Sequence, residues 1–157
     1  MDAATKQLAL NLGVASLMVA FTTLIHFFGL LLLTRAMRGA HVRLRTHEAA
    51  WRQAGMILLA VFGIFALHTA QIWAYAICFR ALGEFTTFEQ ALYFSTVTFS
   101  TVGYGDLTLS VAWRVLGAIE AANGLILIAW STAFLFSVTT RLRVLEHDWL
   151  ESNHDRS

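Results

Sequence analysis

The chain has 157 residues, of which 57% are hydrophobic and only 13% are charged, and its formal net charge is +1. This composition leaves too little polar surface for a soluble domain of this length, so the sequence predicts an integral membrane protein. A net charge this small gives no indication of a nucleic-acid partner. The single cysteine, Cys78, excludes an intrachain disulfide and a metal site built from several cysteines.

Three apolar stretches are long enough to cross a bilayer as helices: residues 8–34, 55–79 and 113–140. A helix over the first stretch reaches roughly 40 Å, more than the hydrocarbon core of ~30 Å. This stretch is too long for the apolar region of a signal peptide and its N-terminal flank is not basic, so we expect it to be retained. The sequence therefore predicts an all-α membrane protein with three transmembrane helices.

The basic residues predict the orientation of these helices. Eight of them lie in the loop 35–54 or in the tail, namely Arg35, Arg38, Arg43, Arg45, Arg52, Arg141, Arg143 and Arg156, against Lys6, Arg80 and Arg114 on the other side. The positive-inside rule then places the C-terminus in the cytoplasm and the N-terminus outside. Only Arg35 and Arg38 have the three-residue spacing of a voltage sensor. We therefore interpret the arginines as an anchor to anionic lipids of the inner leaflet.

Residues 80–112 are too polar for a full span and too apolar for a plain external loop. The segment TTFE predicts Thr86 as a helix N-cap with Glu89 completing a capping box. A short helix over about residues 87–98 then runs into the sequence TFSTVGYGDL at 98–107. Non-helical backbone at membrane depth is tolerated only where protein buries it or water lines it. We therefore expect a re-entrant segment that lines a pore.

The glycine spacing within this segment predicts an unusual backbone. If Thr101, Val102, Gly103 and Tyr104 run extended with all carbonyls pointing one way, the backbone handedness must alternate, which glycine permits. Four carbonyls and the Thr101 hydroxyl then form a ladder of oxygens that can replace the water of an ion. Because one chain supplies one side only, closed rotational symmetry is expected, and four copies would supply roughly eight oxygens per ion.

Two alternatives for this motif are a glycine-rich turn between helices and a phosphate-binding loop. The chain contains no GxxxxGK[ST] pattern, which disfavours the phosphate-binding loop. The C-terminal partial negative charge of the preceding helix favours a cation in the cavity below the ladder.

The sequence ALYFSTVTFSTVGYGDL at 91–107 resembles the pore helix and selectivity filter of potassium channels, and TVGYGD at 101–106 matches the family signature without substitution. With its flanking spans the resemblance covers about residues 55–143. The chain is similar to the pore modules of small prokaryotic two-transmembrane potassium channels, which are tetramers that conduct potassium down its gradient. This resemblance implies K⁺ as the permeant ion, a homotetramer, no cofactor, and a prokaryotic cytoplasmic membrane.

The resemblance also implies roles for individual residues. The carbonyls of the four ladder residues would coordinate K⁺, with the Thr101 hydroxyl at the cytoplasmic end. Support for this filter is implied for Gly105 and Asp106 at the outer mouth and for Tyr93 and Phe94 in an aromatic cuff. Gly124 lies within one residue of the hinge glycine of the inner helix. The stripe expected to line the cavity, at spacings of three to four residues, is Ile126, Ala129, Ala133 and Ser137.

The chain departs from the family pattern in two places. Some family members place a glutamate behind the filter, where this chain has Val97. The first span is additional to a two-transmembrane channel. We expect residues 1–34 to form this extra helix, 35–54 a basic cytoplasmic loop, 55–143 the pore domain and 144–157 a short cytoplasmic tail.

Glu120 lies about eight residues into the third span, roughly 12 Å along the helix. A charged carboxylate in hydrocarbon costs several kcal/mol, so Glu120 must face protein or water, or be protonated. Its position, about 120° from the cavity stripe, predicts a hydrogen bond to the pore helix or to Gln71 that braces the filter. The alternative is a structural hydrogen bond with no influence on gating.

Smaller features receive simpler interpretations. His26 and His68 lie within spans and are interpreted as hydrogen-bonded packing residues. The tail carries a helical stripe that could bundle four copies, although a frayed, solvated tail is favoured; the stripe consists of Leu142, Leu145, Trp149 and Leu150. In such a bundle the segment EHD at 146–148 could sense protons.

The sequence thus predicts a potassium-selective channel that conducts K⁺ passively as a homotetramer. The alternatives are a weakly selective cation channel, which reversal potentials would distinguish, and a non-conducting accessory subunit. An enzyme is not expected, because no pattern of nucleophile, base and metal ligands is present.

Overall fold

The computed structural model describes residues 2–43 and 49–154, and the side-chain surroundings of residues 2–38, 51 and 53–140. Within these ranges the regular elements are four helices: α1 (Ala3–Arg43), α2 (Ala49–Ala81), α3 (Phe88–Phe99) and α4 (Arg114–His154). Three segments are long and apolar enough to cross a membrane: Ala3–Arg38, Gln53–Ala81 and Arg114–Thr140. The prediction of an all-α, multi-pass membrane protein is confirmed.

The long helices extend beyond the predicted spans. α1 continues to Arg43 and α2 begins at Ala49, so both enter the basic segment 35–54. α4 continues to His154, where the sequence favoured a frayed tail. Neither glycine nor proline occurs between residues 125 and 154, so nothing in this segment ends the helix. The residues whose side-chain surroundings are described do not include the tail stripe, the segment EHD at 146–148, or Arg43, Arg45 and Arg52.

α1 and α2 approach each other closely at two glycines. A Cβ atom at Gly29 of α1 would lie 2.0 Å from Cδ2 of Leu67, and one at Gly63 of α2 would lie 2.7 Å from Cδ1 of Leu33. Each glycine thus receives a leucine of the opposite helix. Small residues at such crossings let membrane helices pack by van der Waals contact.

The main core surrounds the short helix α3, which packs between α2 and α4. Its fully buried residues come from all four helices: Ala15 from α1, Tyr75, Ala76 and Phe79 from α2, Ala91 and Phe99 from α3, and Leu116 and Leu127 from α4. The ring of Phe94 lies 5.3 Å, between centroids, from the rings of both Phe79 and Phe85. This aromatic packing holds α3 against the C-terminal end of α2.

The predicted cap of α3 is wrong by one residue. Thr87, in an extended conformation, is the N-cap: its Oγ1 accepts from the amide of Gln90 at 3.2 Å, and Gln90 Oε1 accepts from the amide of Thr87 at 3.4 Å. The hydroxyl of Thr86 instead donates to Gln90 Oε1. Two adjacent threonines precede Glu89 and Gln90, so the pattern alone fits both registers.

Candidate functional site

The segment after α3 has a backbone of alternating handedness. Thr101, Gly103 and Gly105 have positive φ angles of 61°, 58° and 76°, whereas Val102 and Tyr104 between them do not. The glycine spacing predicted this alternation at residues 103 and 105. The positive φ of Thr101 was not predictable from the residue type, because a non-glycine residue in the left-handed region is uncommon.

The end of α3 holds this segment in place. The carbonyl oxygen of Val97 accepts from the amides of Val102 at 3.0 Å and Gly103 at 3.2 Å, and that of Thr98 accepts from Thr101 at 2.9 Å. Within the described part of the chain, the carbonyl oxygens of residues 101–104 accept no hydrogen bond. These oxygens are therefore available to a ligand.

Two large side chains of the same segment are more than half exposed in the single chain. Val102 is 53% exposed and Tyr104 is 72% exposed. Behind the segment is a cavity of about 200 Å³ whose lining includes Phe94, Val97 and Gly103. Phe94 thus contacts both the aromatic core and the space behind the backbone ladder.

At the C-terminal end of the segment, Tyr93 Oη of α3 donates to Asp106 Oδ2 at 2.8 Å. This hydrogen bond lowers the pKa of the Asp106 carboxyl below its ordinary value and raises the pKa of the Tyr93 hydroxyl. The tyrosine thus partners the aspartate in a chain that lacks a carboxyl at Val97. The resemblance implied only an aromatic cuff for Tyr93, and no local pattern in the sequence signals this contact.

Glu120 is fully buried and contacts α3, as predicted. Its Oε1 lies 2.5 Å from Ser95 Oγ, which is also 2.9 Å from the carbonyl oxygen of Ile72. The alternative contact with Gln71 is wrong, because that amide is engaged by side chains of α1 and α2. The single hydroxyl proton of Ser95 can serve one of its two oxygen neighbours. A protonated Glu120 that donates to Ser95 would satisfy both contacts.

Gly124 lies where α4 crosses the end of α3. A Cβ atom there would be 2.1 Å from the carbonyl oxygen of Phe99, so the close approach of the two backbones requires glycine. This contact explains the residue independently of a hinge, which stays a prediction. The predicted cavity stripe lies on the exposed side of α4, opposite the buried Leu127, and consists of Ile126, Ala129, Ala133 and Ser137.

The described residues offer few chemical alternatives to backbone ligands. In this part of the chain no group of three or more His, Cys, Asp or Glu side chains could hold a metal ion. The unpaired carbonyls of residues 101–104 are oxygen dipoles, which suit a weakly held monovalent cation.

A family model described as an ion channel matches residues 56–141, more than half of the chain. The chain belongs to this ion channel family. The match contains α3, the segment 101–106 and the predicted membrane-spanning part of α4. Members of an ion channel family conduct ions, which agrees with the expectation that the chain is not an enzyme.

Comparison with curated proteins gives more distant relatives within potassium channels. Potassium voltage-gated channel subfamily A member 7 of Homo sapiens is 26% identical over 97 residues, and subfamily A member 6 of Mus musculus is 29% identical over 98 residues. Each alignment covers 61% of this chain but only 21% and 18%, respectively, of those proteins. The chain thus spans about a fifth of the length of these relatives. No solved structure matches the chain.

The contact between Tyr93 and Asp106 generates a pH prediction. Because the pKa of Asp106 is lowered in the folded protein, the contact contributes stability above the ordinary pKa of 3.8 and loses it as pH falls through the lowered value. Tyr93→Phe removes the donor, so the pKa of Asp106 should rise toward 3.8. Carboxyl ¹³C NMR between about pH 2 and about pH 7 measures both titrations. Identical curves in the two proteins would contradict the contact.

The Glu120–Ser95 contact predicts a stability difference between two serines of the same segment. Ser95→Ala leaves a buried carboxyl without its partner and should lower the free energy of unfolding by about 1–3 kcal/mol. Ser100→Ala is the control, because its hydroxyl is exposed and bonds α3's own carbonyls, and should cost about 0.5 kcal/mol or less. In a Glu120→Leu background the cost of Ser95→Ala should shrink. Equal costs with and without Glu120 would show that the two side chains are not coupled.

Proposed function

We propose that the chain is the subunit of a potassium-selective channel in which four copies surround one conduction pathway. The observation that carries this proposal is the alternation of φ at residues 101, 103 and 105 together with the unpaired carbonyls of residues 101–104. Alternating handedness turns successive carbonyls toward the same side of an extended chain. In four copies, these oxygens and the Thr101 hydroxyl replace the hydration shell of K⁺.

Two observations support the assembly of four copies. A single chain supplies one wall of the ladder, so the ion site is incomplete without symmetry-related chains. The large side chains of Val102 and Tyr104 are about half exposed or more in the single chain. In the tetramer these side chains pack away from the ions, against the pore helices of the same and neighbouring copies.

The remaining site residues then support the filter or line the path. Tyr93 and Asp106 tie the outer mouth to α3, with Gly105 giving the last left-handed turn. Phe94 and Glu120 brace α3 from two sides. Below the filter, the exposed stripe of α4 lines the cavity, and above this stripe Gly124 makes its close contact with the end of α3. The stripe consists of Ile126, Ala129, Ala133 and Ser137.

The arrangement in the membrane follows the distribution of charge. We place the N-terminus and the outer mouth outside and the C-terminus in the cytoplasm, with residues 55–143 as the pore domain and 1–34 as an additional helix. Arg35 and Arg38 lie exposed at the inner end of α1, where they would contact anionic lipids. The resemblance to small channel modules favours a prokaryotic cytoplasmic membrane.

Measurements of conduction distinguish the proposed function from two others. A weakly selective cation channel would share the pore but show similar reversal potentials in K⁺ and Na⁺. A non-conducting accessory subunit would give silent bilayers. The intact backbone ladder favours the selective channel over both.

Gly103→Ala tests the filter assignment. Added to a residue at φ 58°, a Cβ strains the left-handed backbone, so the variant should lose conduction or its preference for K⁺ over Na⁺. Gly83→Ala is a matched control, because Gly83 has φ 77° and open space around a Cβ but lies in the outer loop. Bi-ionic reversal potentials of reconstituted protein measure the effect. Wild-type selectivity in Gly103→Ala would remove the assignment.

Single cysteines at Thr5 and Ser152, in a Cys78→Ala background, test the orientation. An impermeant thiol reagent applied outside should label the first position and not the second, because an odd number of spans separates them. Reagent added after permeabilisation provides the control for reactivity. Labelling of both positions from one side would rule out the three-span arrangement.

A further inference from the structure

Four polar side chains meet between α1, α2 and α4, away from the proposed filter. They are His26 of α1, His68 and Gln71 of α2, and Ser131 of α4. His26 and Gln71 are fully buried, and Ser131 nearly so. Three helices place these groups together inside the membrane, where unpaired polar groups are costly.

Their hydrogen bonds form a closed ring. Gln71 Nε2 lies 3.1 Å from His26 Nδ1, and Gln71 Oε1 lies 2.9 Å from His68 Nδ1. Ser131 Oγ lies 3.0 Å from His68 Nε2 and 3.5 Å from His26 Nε2. Both nitrogens of each imidazole therefore have a partner within the ring.

The chemistry of Gln71 determines where the protons lie. Its amide nitrogen only donates, so His26 Nδ1 accepts and His26 carries its proton on Nε2. Its amide oxygen only accepts, so His68 carries its proton on Nδ1. The hydroxyl of Ser131 then accepts from His26 and donates to His68. Each member donates once around the ring, and both histidines are neutral.

A further proton breaks this pattern. On His26 Nδ1 it would oppose the amide N–H of Gln71, and on His68 Nε2 it would force the Ser131 hydroxyl to turn its proton away and accept from both imidazoles. Turning the Gln71 amide over relieves the first conflict but removes its 3.2 Å hydrogen bond to the carbonyl oxygen of Thr22 on α1. The ring centroids of the two imidazoles are 5.6 Å apart, so a second charge would meet strong repulsion.

The groups facing the ring do not compensate a charge. α1 presents the carbonyl oxygen of Thr22, which accepts from Gln71, and α3 presents Phe99, whose aromatic ring centroid is 5.7 Å from that of His68. α4 contributes Trp130, and its one carboxyl in the span, Glu120, lies eleven residues before Ser131, roughly 16 Å along the helix. Among the described residues, no carboxylate contacts either imidazole.

The position of the ring connects α1 to the pore. Ser131 lies on the buried face of α4, opposite Ala129 and Ala133 of the cavity stripe. His68 packs on Phe99, the last residue of α3. A change in the ring thus acts on the helix that lines the cavity and on the end of the helix that holds the filter.

We propose that His26, His68, Gln71 and Ser131 form a proton-sensitive clamp through which the extra helix α1 acts on the pore. The clamp is closed while both histidines are neutral and opens when either takes up a proton. This inference rests on the proposed function, since its output is ion flux. It gives α1 a role that the conduction pathway does not require.

The proton positions are tested directly in wild-type protein by ¹⁵N solid-state NMR in lipid bilayers. At about pH 8 His68 should carry its proton on Nδ1 and His26 on Nε2, and one of these signals should change to that of imidazolium by about pH 4. The Nδ1 form of His68 is diagnostic, because free imidazole side chains favour the Nε2 form. Finding His68 protonated on Nε2 at pH 8, or no proton uptake over this range, would overturn the clamp.

Potassium flux from liposomes tests whether the clamp changes ion conduction. Between about pH 8 and about pH 4 wild-type flux should change by about fivefold or more, the lower range of coupling between sites. His26→Gln/His68→Gln keeps neutral hydrogen-bonding groups and should flatten this response. His147→Gln removes a histidine outside the ring and should retain it.

The outcomes separate the two proposals. Absence of wild-type flux at every pH would contradict the proposed function. Flux that is present but insensitive to pH, or a pH response that persists in the double variant, would overturn the clamp alone. A response abolished by His147→Gln would place the sensor in the tail and likewise overturn it.

Discussion

The structure depends on how backbone polar groups are satisfied where the chain stops being helical inside a membrane. Between α3 and α4 about a dozen residues leave the helix, in surroundings where unpaired amides cost several kcal/mol. The carbonyl of Val97 accepts two amides and that of Thr98 a third, so the amides of residues 101–103 face back onto α3. The carbonyls of residues 101–104 are left free. In the proposed channel, that asymmetry converts a break in secondary structure into a row of ligands.

Packing around α3 preserves this arrangement with few polar groups. Gly124 lets the α4 backbone touch the end of α3, and the aromatic core fixes the start of the helix. Two polar contacts support this packing: that of Glu120 with Ser95 of α3, and that of Tyr93 with Asp106 after the segment 101–104. α1 is attached by glycine packing, by the ring of hydrogen bonds and by further polar contacts, among them that of Asn123 Nδ2 with Thr22 Oγ1 at 2.8 Å.

The features predictable from sequence were those that local pattern determines. Uninterrupted apolar length predicted the spans, and alternate glycines predicted the alternating backbone. What the sequence missed depends on tertiary contacts. Thr101 adopts positive φ because its neighbours constrain it, and Tyr93 partners Asp106 because α3 and the filter segment lie side by side. The ring of hydrogen bonds that contains His26 joins side chains more than forty positions apart, so no local spacing in the sequence reveals it.

The most direct test of the central claim is the position of permeant ions in the assembled protein. Crystals of the purified protein grown in Rb⁺ allow anomalous scattering to locate that ion in place of K⁺. We predict a row of sites on a four-fold axis, each coordinated by carbonyl oxygens of residues 101–104 from four chains. An assembly without this axis, or one whose Rb⁺ ions lie elsewhere, would contradict the account.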